Sequence, residues 1–351
     1  MGPKTTMTAM KPRDRIISTL KGEGADQVPL YPPYQGYWAL NAAQMPVPLS
    51  MKKPKLAANI QIKMAEKFGF DGIEVSGDCF MPPVEALGCE VKQPDVGPGS
   101  TVAPIINERG DLDKLEIPDI RLDHRMMSEA VEAEYLVRKI SKERFLHISF
   151  IGPFTLVGEL RGVETLMLDT LTEPDFVFDM LKFASEVVDG YLEFMGPLGV
   201  DGVSQCDPTA SGSLISPEYC NKFVLPYIKK GDRIIKKHGM IDIFHVCGDT
   251  SDRLEAIADV GAEIFSMDYQ VDMGEACRRI GNRQALLGNV RPPHALFAGT
   301  PEMVLEESLA CIEKAKGYRF FLGAGCDVPP GSPEENVMQM SRAIQIAKHK
   351  K

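Results

Sequence analysis

Short apolar runs recur along the chain, and most of them end in glycine, proline, aspartate or cysteine before a helical pattern begins. Apolar runs of this length, bounded by turn residues, are typical of buried β-strands. Eight runs can be distinguished, at residues 28–33, 72–77, 145–150, 202–207, 241–247, 263–268, 285–290 and 319–325. The pattern therefore predicts eight strands spread over nearly the whole chain.

The segments between the runs are amphipathic, and several begin with a residue that can cap a helix. Serine or threonine followed by proline and an acid opens helices predicted to start at Ser216, Thr300 and Ser332, the first running on to Lys237. Strands that alternate with helices predict a parallel sheet, and at 351 residues we expect the closed (β/α)8 barrel, the TIM barrel. An open doubly wound sheet is the alternative fold.

No linker divides the chain, so residues 11–351 are predicted to form a single domain. Residues 1–10 are expected to be a disordered leader. One excursion, rich in glycine and proline, interrupts the alternation after the second predicted strand, at residues 89–123. We expect a hairpin or a long loop beside the mouth of the barrel.

Composition narrows the class of protein. With 44% hydrophobic residues the chain can bury a full core, and a net charge of −10 with a pI near 5.2 argues against nucleic acid or an anionic membrane as the main partner. No apolar stretch is long enough for a membrane span, and the first residues lack a signal-peptide core, so a cytoplasmic protein is expected. Eight scattered cysteines then favour free thiols or metal ligands over disulfides.

The fifth predicted strand ends with a histidine and a cysteine two positions apart, His245 and Cys247. Side chains two apart on a strand face the same side, and the chemistry of such barrels gathers at the carboxyl ends of the strands. The eighth predicted strand brings Cys326 to the same end. One histidine and two cysteines suit zinc and leave a fourth position open, although ordinary packing at a strand end is the alternative.

The stretch from His245 to Gly248 and the distant Gly325–Cys326, with residues 206–211 and 287–290 between them, resembles the uroporphyrinogen decarboxylase superfamily. Within it the pattern is most similar to the zinc-dependent methylcobamide:coenzyme M methyltransferases. The resemblance implies that His245, Cys247 and Cys326 bind zinc. It extends over nearly the whole chain, from residues 11–23 to residues 332–340.

The resemblance also implies the reaction, in which a methyl group moves between a corrinoid and a zinc-activated thiol such as coenzyme M. The corrinoid would be bound to a carrier protein that docks over the barrel mouth. Aromatic residues near the mouth are candidates for that surface, with ordinary loop packing as the alternative: Tyr34, Tyr37, Trp38 and Phe80. Asn289, at the end of the seventh predicted strand, is a further candidate, although a turn residue gives the same pattern.

Two aspartates at strand ends are candidate catalytic residues. Asp207 follows the fourth predicted strand and is expected to orient His245 or to contact substrate, with a strand-end cap as the alternative. Asp78 occupies a similar place after the second strand. Glu159 is a candidate fourth zinc ligand in the absence of substrate. A homodimer is expected only by default for a soluble enzyme.

Other functions are less well supported. Uroporphyrinogen decarboxylase would need arginines near the first strand to bind carboxylates, yet no arginine occurs between Arg15 and Arg109. A methyl donor:corrinoid methyltransferase, the demethylating component, is the main alternative. Some such relatives bind zinc with two glutamates and a histidine, and no matching set is found here. A catalytically silent barrel that serves as a binding subunit is the third hypothesis.

Overall fold

The structure is a computed structural model that describes residues 9–75 and 80–349. Its strands are β1 (Gly72–Glu74), β2 (Val91–Lys92), β3 (Ser100–Thr101), β4 (Phe145–Ile151), β5 (Gly202–Cys206), β6 (Ile241–Val246), β7 (Ile264–Met267), β8 (Ala285–Val290) and β9 (Phe320–Ala324). Seven of them form one parallel sheet in the order β1-β4-β5-β6-β7-β8-β9. Each sequential crossover places its helices outside the curled sheet, which confirms the predicted barrel architecture and excludes the doubly wound alternative.

The first predicted strand, residues 28–33, closes the sheet through a single bridge between Leu30 and Leu322. The backbone N–H of Tyr31 donates to Leu322 at 2.8 Å, and that of Asp71 donates to Leu30 at 2.7 Å. The predicted full strand is therefore wrong in length. Prolines at positions 29, 32 and 33 have no N–H to donate, so the hydrogen-bonded ladder cannot extend.

The α-helices of the described residues are α1 (Pro12–Lys21), α2 (Gly36–Ala42), α3 (Val47–Lys52), α4 (Pro54–Phe68), α5 (Met81–Ala86), α6 (Arg109–Leu112), α7 (His124–Ile140), α8 (Pro153–Arg161), α9 (Val163–Thr172), α10 (Pro174–Met195), α11 (Pro217–Phe223), α12 (Leu225–Lys237), α13 (Leu254–Ala258), α14 (Met273–Ile280), α15 (Pro301–Lys314) and α16 (Glu334–His349). Short 3₁₀ turns lie at Ile120–Leu122, Gly196–Leu198, Pro208–Ala210 and Ser251–Arg253, and a π-helical turn at Pro292–Phe297. None of these helices has the length and apolar composition that crossing a membrane requires.

The predicted helix starts are confirmed where capping chemistry sets them. The Ser216 side chain accepts from the Tyr219 N–H at the start of α11, and Thr300 does the same at the start of α15. The helix expected to run on from Ser216 instead breaks at Val224 and resumes as α12. Pro226 lies in the first turn of α12, where its missing N–H does no harm, and it favours a new helix start at this point.

The glycine- and proline-rich excursion contains the predicted hairpin. Strands β2 and β3 pair antiparallel, with Val91 opposite Thr101. The hydroxyl of Thr101 donates to Glu159 on α8, which fixes the hairpin against the helix that follows β4. The excursion therefore lies against the helices around the barrel and leaves the strand order unchanged.

The barrel interior changes from apolar to polar along its axis. Its lower part is a packed cluster formed by Ile16, Tyr31, Phe145, Ile243, Ile264, Ala285, Leu287 and Phe321. Burying each of the larger side chains contributes about 1.5–3 kcal/mol. Towards the carboxyl ends of the strands the inward-facing side chains become polar: Glu74, Ser149, Ser204, His245 and Ser266. This polar layer is where the candidate site lies.

Candidate metal centre

Three potential metal ligands converge at the carboxyl ends of β6 and β9. The Nε2 atom of His245 lies 3.3 Å from the Cys247 Sγ and 3.7 Å from the Cys326 Sγ, and the two sulfurs are 3.6 Å apart. These three residues are the one group in residues 9–75 and 80–349 whose ligand atoms could share a metal ion. The structure thus brings together segments that are 79 residues apart in sequence.

The imidazole of His245 is held in one orientation. Its Nδ1 lies 3.0 Å from the carbonyl oxygen of Ser266 and 3.2 Å from the Ser266 hydroxyl. A carbonyl can only accept, so Nδ1 carries a proton and Nε2 faces the two sulfurs. The ring of Tyr34 packs on the other side, 4.8 Å from the imidazole centroid, and its hydroxyl bonds Ser204. The imidazole is therefore already oriented towards the two sulfurs.

The pKa values of the two thiols are shifted in opposite directions. The hydrogen bond from Cys247 lowers the pKa of Cys326 well below its usual value, and the same bond raises the pKa of Cys247. Burial and the nearby charges of Cys326 and Asp327 raise the pKa of Cys247 further. Burial lowers the pKa of His245, but the hydrogen bond and charge of Cys326 outweigh it and raise that pKa to about 9. Two sulfurs and an imidazole so close together fit a divalent cation, which would favour both thiolates and the neutral ring.

Two glycines make the close approach of the strand ends possible. Gly248 has a φ of +79°, and a Cβ there would lie 2.3 Å from the Ser211 hydroxyl. A Cβ at Gly325 would lie 2.5 Å from the backbone nitrogen of Tyr269. Larger residues at either position would displace the loop that carries a sulfur ligand.

Asp207 lies beside this centre but faces away from it. Its buried carboxylate accepts from the backbone N–H of Thr155 at 2.9 Å and of Phe154 at 3.3 Å, and from the hydroxyls of Thr155 and Thr209. Burial raises the pKa of this carboxyl to about 6. The side chain caps α8, so the expected contact with the His245 side chain is not formed, and only the Asp207 N–H reaches the His245 carbonyl. A catalytic role for Asp207 stays a prediction. The contacts of its carboxylate are those of the alternative, a cap at the end of the strand.

Trp38 and Asn289 are placed differently from their predicted roles. Trp38 is fully buried against Phe68 and donates its indole N–H to the Ser332 carbonyl, so it cannot contribute to an exposed docking surface. Asn289 is buried and donates to the carbonyls of Asp268 and Val271, which ties the loop after β7 to β8. Both contacts are structural because each polar group already has an internal partner.

The remaining aromatic candidates lie at different depths. Tyr34 is buried against His245, as described above, whereas Tyr37 and Phe80 are half-buried and pack partly on the apolar core. Tyr37 and Phe80 therefore remain candidates for a docking surface. Asp78 lies outside the described residues. The carboxylate of Glu159 accepts from Thr101 and is not part of the ligand cluster.

Sequence reasoning missed two features of the barrel interior. Glu74 is buried, accepts from the Ser149 hydroxyl at 2.6 Å and from the Gly36 N–H, and has its pKa raised by burial and by the charge of Asp327. The signal was a single acid inside an apolar run. Cys206 was predicted to be core, and it is buried, but its Sγ lies 3.6 Å from the Ser204 hydroxyl on the interior side.

The structure has the fold of a methyltransferase from Methanosarcina mazei, with a TM-score of 0.86 over 96% of this chain and 99% of that protein at 24% identity. In sequence, the chain is 27% identical to methylcobamide:CoM methyltransferase MtbA of Methanosarcina acetivorans, over 98% of this chain and 100% of the relative. It is also 27% identical to uroporphyrinogen decarboxylase of Coxiella burnetii, over 95% of this chain and 94% of that enzyme. The overall sequence identity is therefore the same for a methyltransferase and for a decarboxylase, and it does not distinguish between these two activities.

The family model for uroporphyrinogen decarboxylase matches residues 11–346, which is nearly the entire chain. The match includes both segments of the candidate metal centre and every strand of the barrel. By this criterion the chain belongs to the uroporphyrinogen decarboxylase family.

Proposed function

We propose that the protein is a zinc-dependent methyltransferase that moves a methyl group from a protein-bound corrinoid to a thiol. The observation that carries the proposal is the convergence of His245, Cys247 and Cys326 at the barrel mouth, with their ligand atoms 3.3 to 3.7 Å apart. The names of the methylcobamide:CoM methyltransferases among the relatives support the same reaction class. Decarboxylation needs no such ligand set.

The three side chains would hold zinc and leave one position for the acceptor thiol. Zinc, when bound, would supply the positive charge that converts a thiol to a thiolate at neutral pH. Ser266 keeps the lone pair of His245 directed at the cluster, and Tyr34 shields one side of the imidazole from water. These residues would thus position the nucleophile and keep it dehydrated.

The transfer balances without a further reagent. The thiol proton leaves to solvent, and the sulfur forms a carbon–sulfur bond with the methyl group of the corrinoid. The cobalt–carbon bond breaks with both electrons remaining on cobalt, which passes from Co(III) to Co(I). The protein's task is to hold sulfur, carbon and cobalt in line. A corrinoid carrier protein would dock over the mouth, where Tyr37 and Phe80 are half-buried.

The segment from Tyr34 to Leu40 also favours methyl transfer over decarboxylation. In this structure it supplies aromatic and neutral side chains and the Gly36 N–H that binds Glu74. It offers no guanidinium for the carboxylates of a porphyrinogen. Coenzyme M appears in the names of the methyltransferase relatives and is therefore one candidate acceptor thiol.

Zinc content and thiol-dependent demethylation of methylcobalamin test the proposal together. We expect about one zinc per chain, lost in Cys247→Ser and Cys326→Ser, and a thiol-dependent appearance of the Co(I) spectrum under anaerobic conditions. Cys277→Ser is the matched control because Cys277 is a buried free thiol on α14, outside the cluster. Full activity of the metal-free protein would contradict the proposal. Turnover of a methoxylated donor without any thiol reaction would assign the demethylating component instead.

A further inference from the structure

A cavity of about 770 Å³ lies on the face of the barrel opposite the candidate metal centre. It is found at the amino ends of the strands, between the turn that follows α1, the start of β9, and helices α15 and α16. Among the described residues that line it, none belongs to the metal centre. Small-molecule sites usually have volumes of roughly 300–1,000 Å³. The size of the cavity therefore suits an organic molecule and exceeds what a single ion needs.

The walls of the cavity are mainly apolar. Phe320, at the start of β9, and Ile344, on α16, are buried, while Val28, Ile312 and Tyr318 are half-buried and pack against the core. An apolar group that covered this concave surface would be stabilised, because both partners would be removed from water. A ring or a short alkyl chain is thus the part of a ligand that these walls favour.

The edge of the cavity is basic. Three cationic side chains line it, Lys316, Arg319 and Lys348, and we call them the basic rim. One acidic side chain, Glu313, also lines the cavity. This local excess of positive charge contrasts with the net charge of −10 on the whole chain. Because charge complementarity guides recognition, the excess points to a negatively charged ligand.

The first two cations of the basic rim have only weak partners within residues 9–75 and 80–349. The two Nη atoms of Arg319 each lie 3.4 Å from a carbonyl oxygen, those of Leu20 and Asn282, which is longer than the usual N–H···O distance of about 2.9 Å. The Nζ atom of Lys316 lies 3.9 Å from the exposed carboxylate of Glu313. A guanidinium with long contacts to neutral groups retains donors for an oxyanion.

Lys348, on α16, is paired no more closely. Its Nζ atom lies 3.9 Å from the carboxylate of Asp26 and 3.5 Å from the side-chain oxygen of Gln27. Asp26 already has a closer ion pair with Arg15, whose Nε lies 2.7 Å from its carboxylate. Exposed ion pairs at the longer distance contribute little. The ammonium group of Lys348 therefore remains available to a ligand in the cavity.

The chain itself offers one segment for the cavity, residues 1–8, which lie outside the described residues. The backbone N–H of Met10 donates to Asp26 at 3.3 Å, so this segment joins the described chain close to Ala25, which lines the cavity. It contains Lys4 and no acid, and so it does not complement the basic rim. A separate molecule that carries a negative charge complements both the rim and the walls.

We infer that this cavity binds a small organic anion, in which a ring or a short alkyl chain carries one carboxylate, sulfonate or phosphate group. The apolar walls cover the body of the ligand, and the basic rim pairs with its oxyanion through the guanidinium of Arg319 and the two ammonium groups. The inference goes beyond the proposed function and does not depend on it, since no potential metal ligand is among the residues that line the cavity.

Two fluorescent probes that share one aromatic body test the inference. 1-Anilinonaphthalene-8-sulfonate carries a sulfonate, and N-phenyl-1-naphthylamine is the same amine without it. We expect saturable binding of the sulfonate probe to the folded protein, with a dissociation constant that rises with ionic strength because salt screens the pairing of charges. The neutral probe is the reference. An affinity for the sulfonate probe that is unaffected by salt would contradict charge pairing at the rim.

A variant that lacks two of the cations locates the site. In Lys316→Gln/Arg319→Gln, the ratio of sulfonate-probe affinity to neutral-probe affinity should fall about tenfold, because two charged partners are lost and the apolar walls are kept. The control Lys63→Gln/Lys142→Gln removes the same charge from exposed positions outside the cavity, and Lys63 lines another groove of about 390 Å³. The control should keep the wild-type ratio. A fall in the control, or none in Lys316→Gln/Arg319→Gln, would overturn the inference.

Competition identifies the chemistry of the ligand. 1-Naphthoate and 1-naphthyl phosphate differ in their oxyanion, 1-naphthol is neutral at neutral pH, and displacement of the bound sulfonate probe gives a dissociation constant for each. We expect the better of the two anions to bind at least about tenfold more tightly than 1-naphthol and to show which oxyanion the site prefers. Equal displacement by 1-naphthol would overturn the inference by reducing the site to an apolar surface. Tighter binding of the probe after deletion of residues 1–8 would overturn it by assigning the cavity to the chain's own leader.

Discussion

Two buried histidines on the inner face of the same barrel have opposite surroundings. His245, near the end of β6, has Nδ1 bound to Ser266 and Nε2 facing two sulfurs, and its pKa is raised to about 9. His147, in the middle of β4, is fully buried beside Tyr31, and burial lowers its pKa to about 3. The carbonyls of Pro33 and Ile73 lie nearby, but neither ring nitrogen makes a hydrogen bond of good geometry.

Depth along the barrel axis, more than residue type or facing, distinguishes the surroundings of these two polar side chains. His147 lies next to the apolar cluster, where a charge would have neither water nor a partner. His245 lies one layer higher, among hydroxyls, thiols and a carboxylate. The same residue type is thus buried in the apolar scaffold in one layer and is a potential metal ligand in the next.

Replacing each histidine in turn should produce the largest difference between the two layers. We expect His245→Ala to lose zinc and to lower thiol-dependent demethylation by roughly three orders of magnitude or more, because the ligand itself is removed. His147→Phe should keep zinc and most of the activity, since Phe preserves the ring packing against Tyr31. Zinc analysis and methylcobalamin turnover measure both effects. Equal loss in the two variants would refute the distinction between the layers.

Asp207 is a buried acid whose carboxylate faces α8 and not the barrel interior, and we expect it to serve stability. In Asp207→Ala the buried N–H groups of Phe154 and Thr155 lose their acceptor, and we expect unfolding free energy to fall by roughly 3–5 kcal/mol. Zinc stoichiometry of the folded fraction should not change. Urea unfolding and zinc analysis provide the two measurements, and loss of zinc from a fully stable Asp207→Ala protein would show that the carboxylate serves the metal instead.

The pH dependence of stability should report on His147. Its pKa lies near 3 in the folded protein against 6.5 when exposed, so below pH 6.5 the unfolded chain binds a proton that the folded chain does not. Stability is therefore lost as pH falls, and this residue alone should cost about 2–3 kcal/mol by roughly pH 4.5. Urea unfolding at a series of pH values should show this loss of unfolding free energy in the wild type and not in His147→Phe. Identical pH profiles of the two proteins would mean that a hydrogen-bond acceptor stabilises the protonated form of His147 in the folded protein.

The smallest expected effect concerns the orientation of His245. Ser266→Ala removes the hydroxyl 3.2 Å from Nδ1 but keeps the backbone carbonyl at 3.0 Å. Zinc affinity should fall by about tenfold or less, at the lower end of the effects of groups that orient a metal ligand. Competition with a chelator measures the change, with Ser149→Ala as a control for loss of an interior hydroxyl bound to Glu74. A drop as large as that of His245→Ala would show that the carbonyl alone cannot hold the ring.

The convergence of three potential metal ligands could be predicted because it depends on local rules. Positions two apart on a strand share a face, and strand ends of a parallel barrel meet at one rim, so the convergence of His245, Cys247 and Cys326 was predicted from spacing and barrel register. Their role as zinc ligands was implied by the family resemblance. Their distances could not be predicted, since these depend on how far β6 and β9 curl towards each other.

Side-chain depth was the part that the sequence did not determine. Trp38 looks like a mouth aromatic in sequence, yet the contacts that bury it come from Phe68 and Ser332, far along the chain. Strand alternation correctly separated Asp207 from Cys206. Which of the two faces the interior depends on the pairing of Cys206 with His245 across β5 and β6, which no single-strand pattern contains.

The junction between β9 and residues 29–31, where the barrel closes, affects what a bound metal would do to the fold. Beside β9 the wall is joined to residues 29–31 by two backbone hydrogen bonds, because prolines interrupt the ladder there. A metal held by His245 and Cys326 would link β9 to β6 across two intervening strands. Metal binding would then stabilise the barrel wall beside this sparsely hydrogen-bonded junction. Occupation of the site and a loss of mobility at the carboxyl ends of the strands would be coupled.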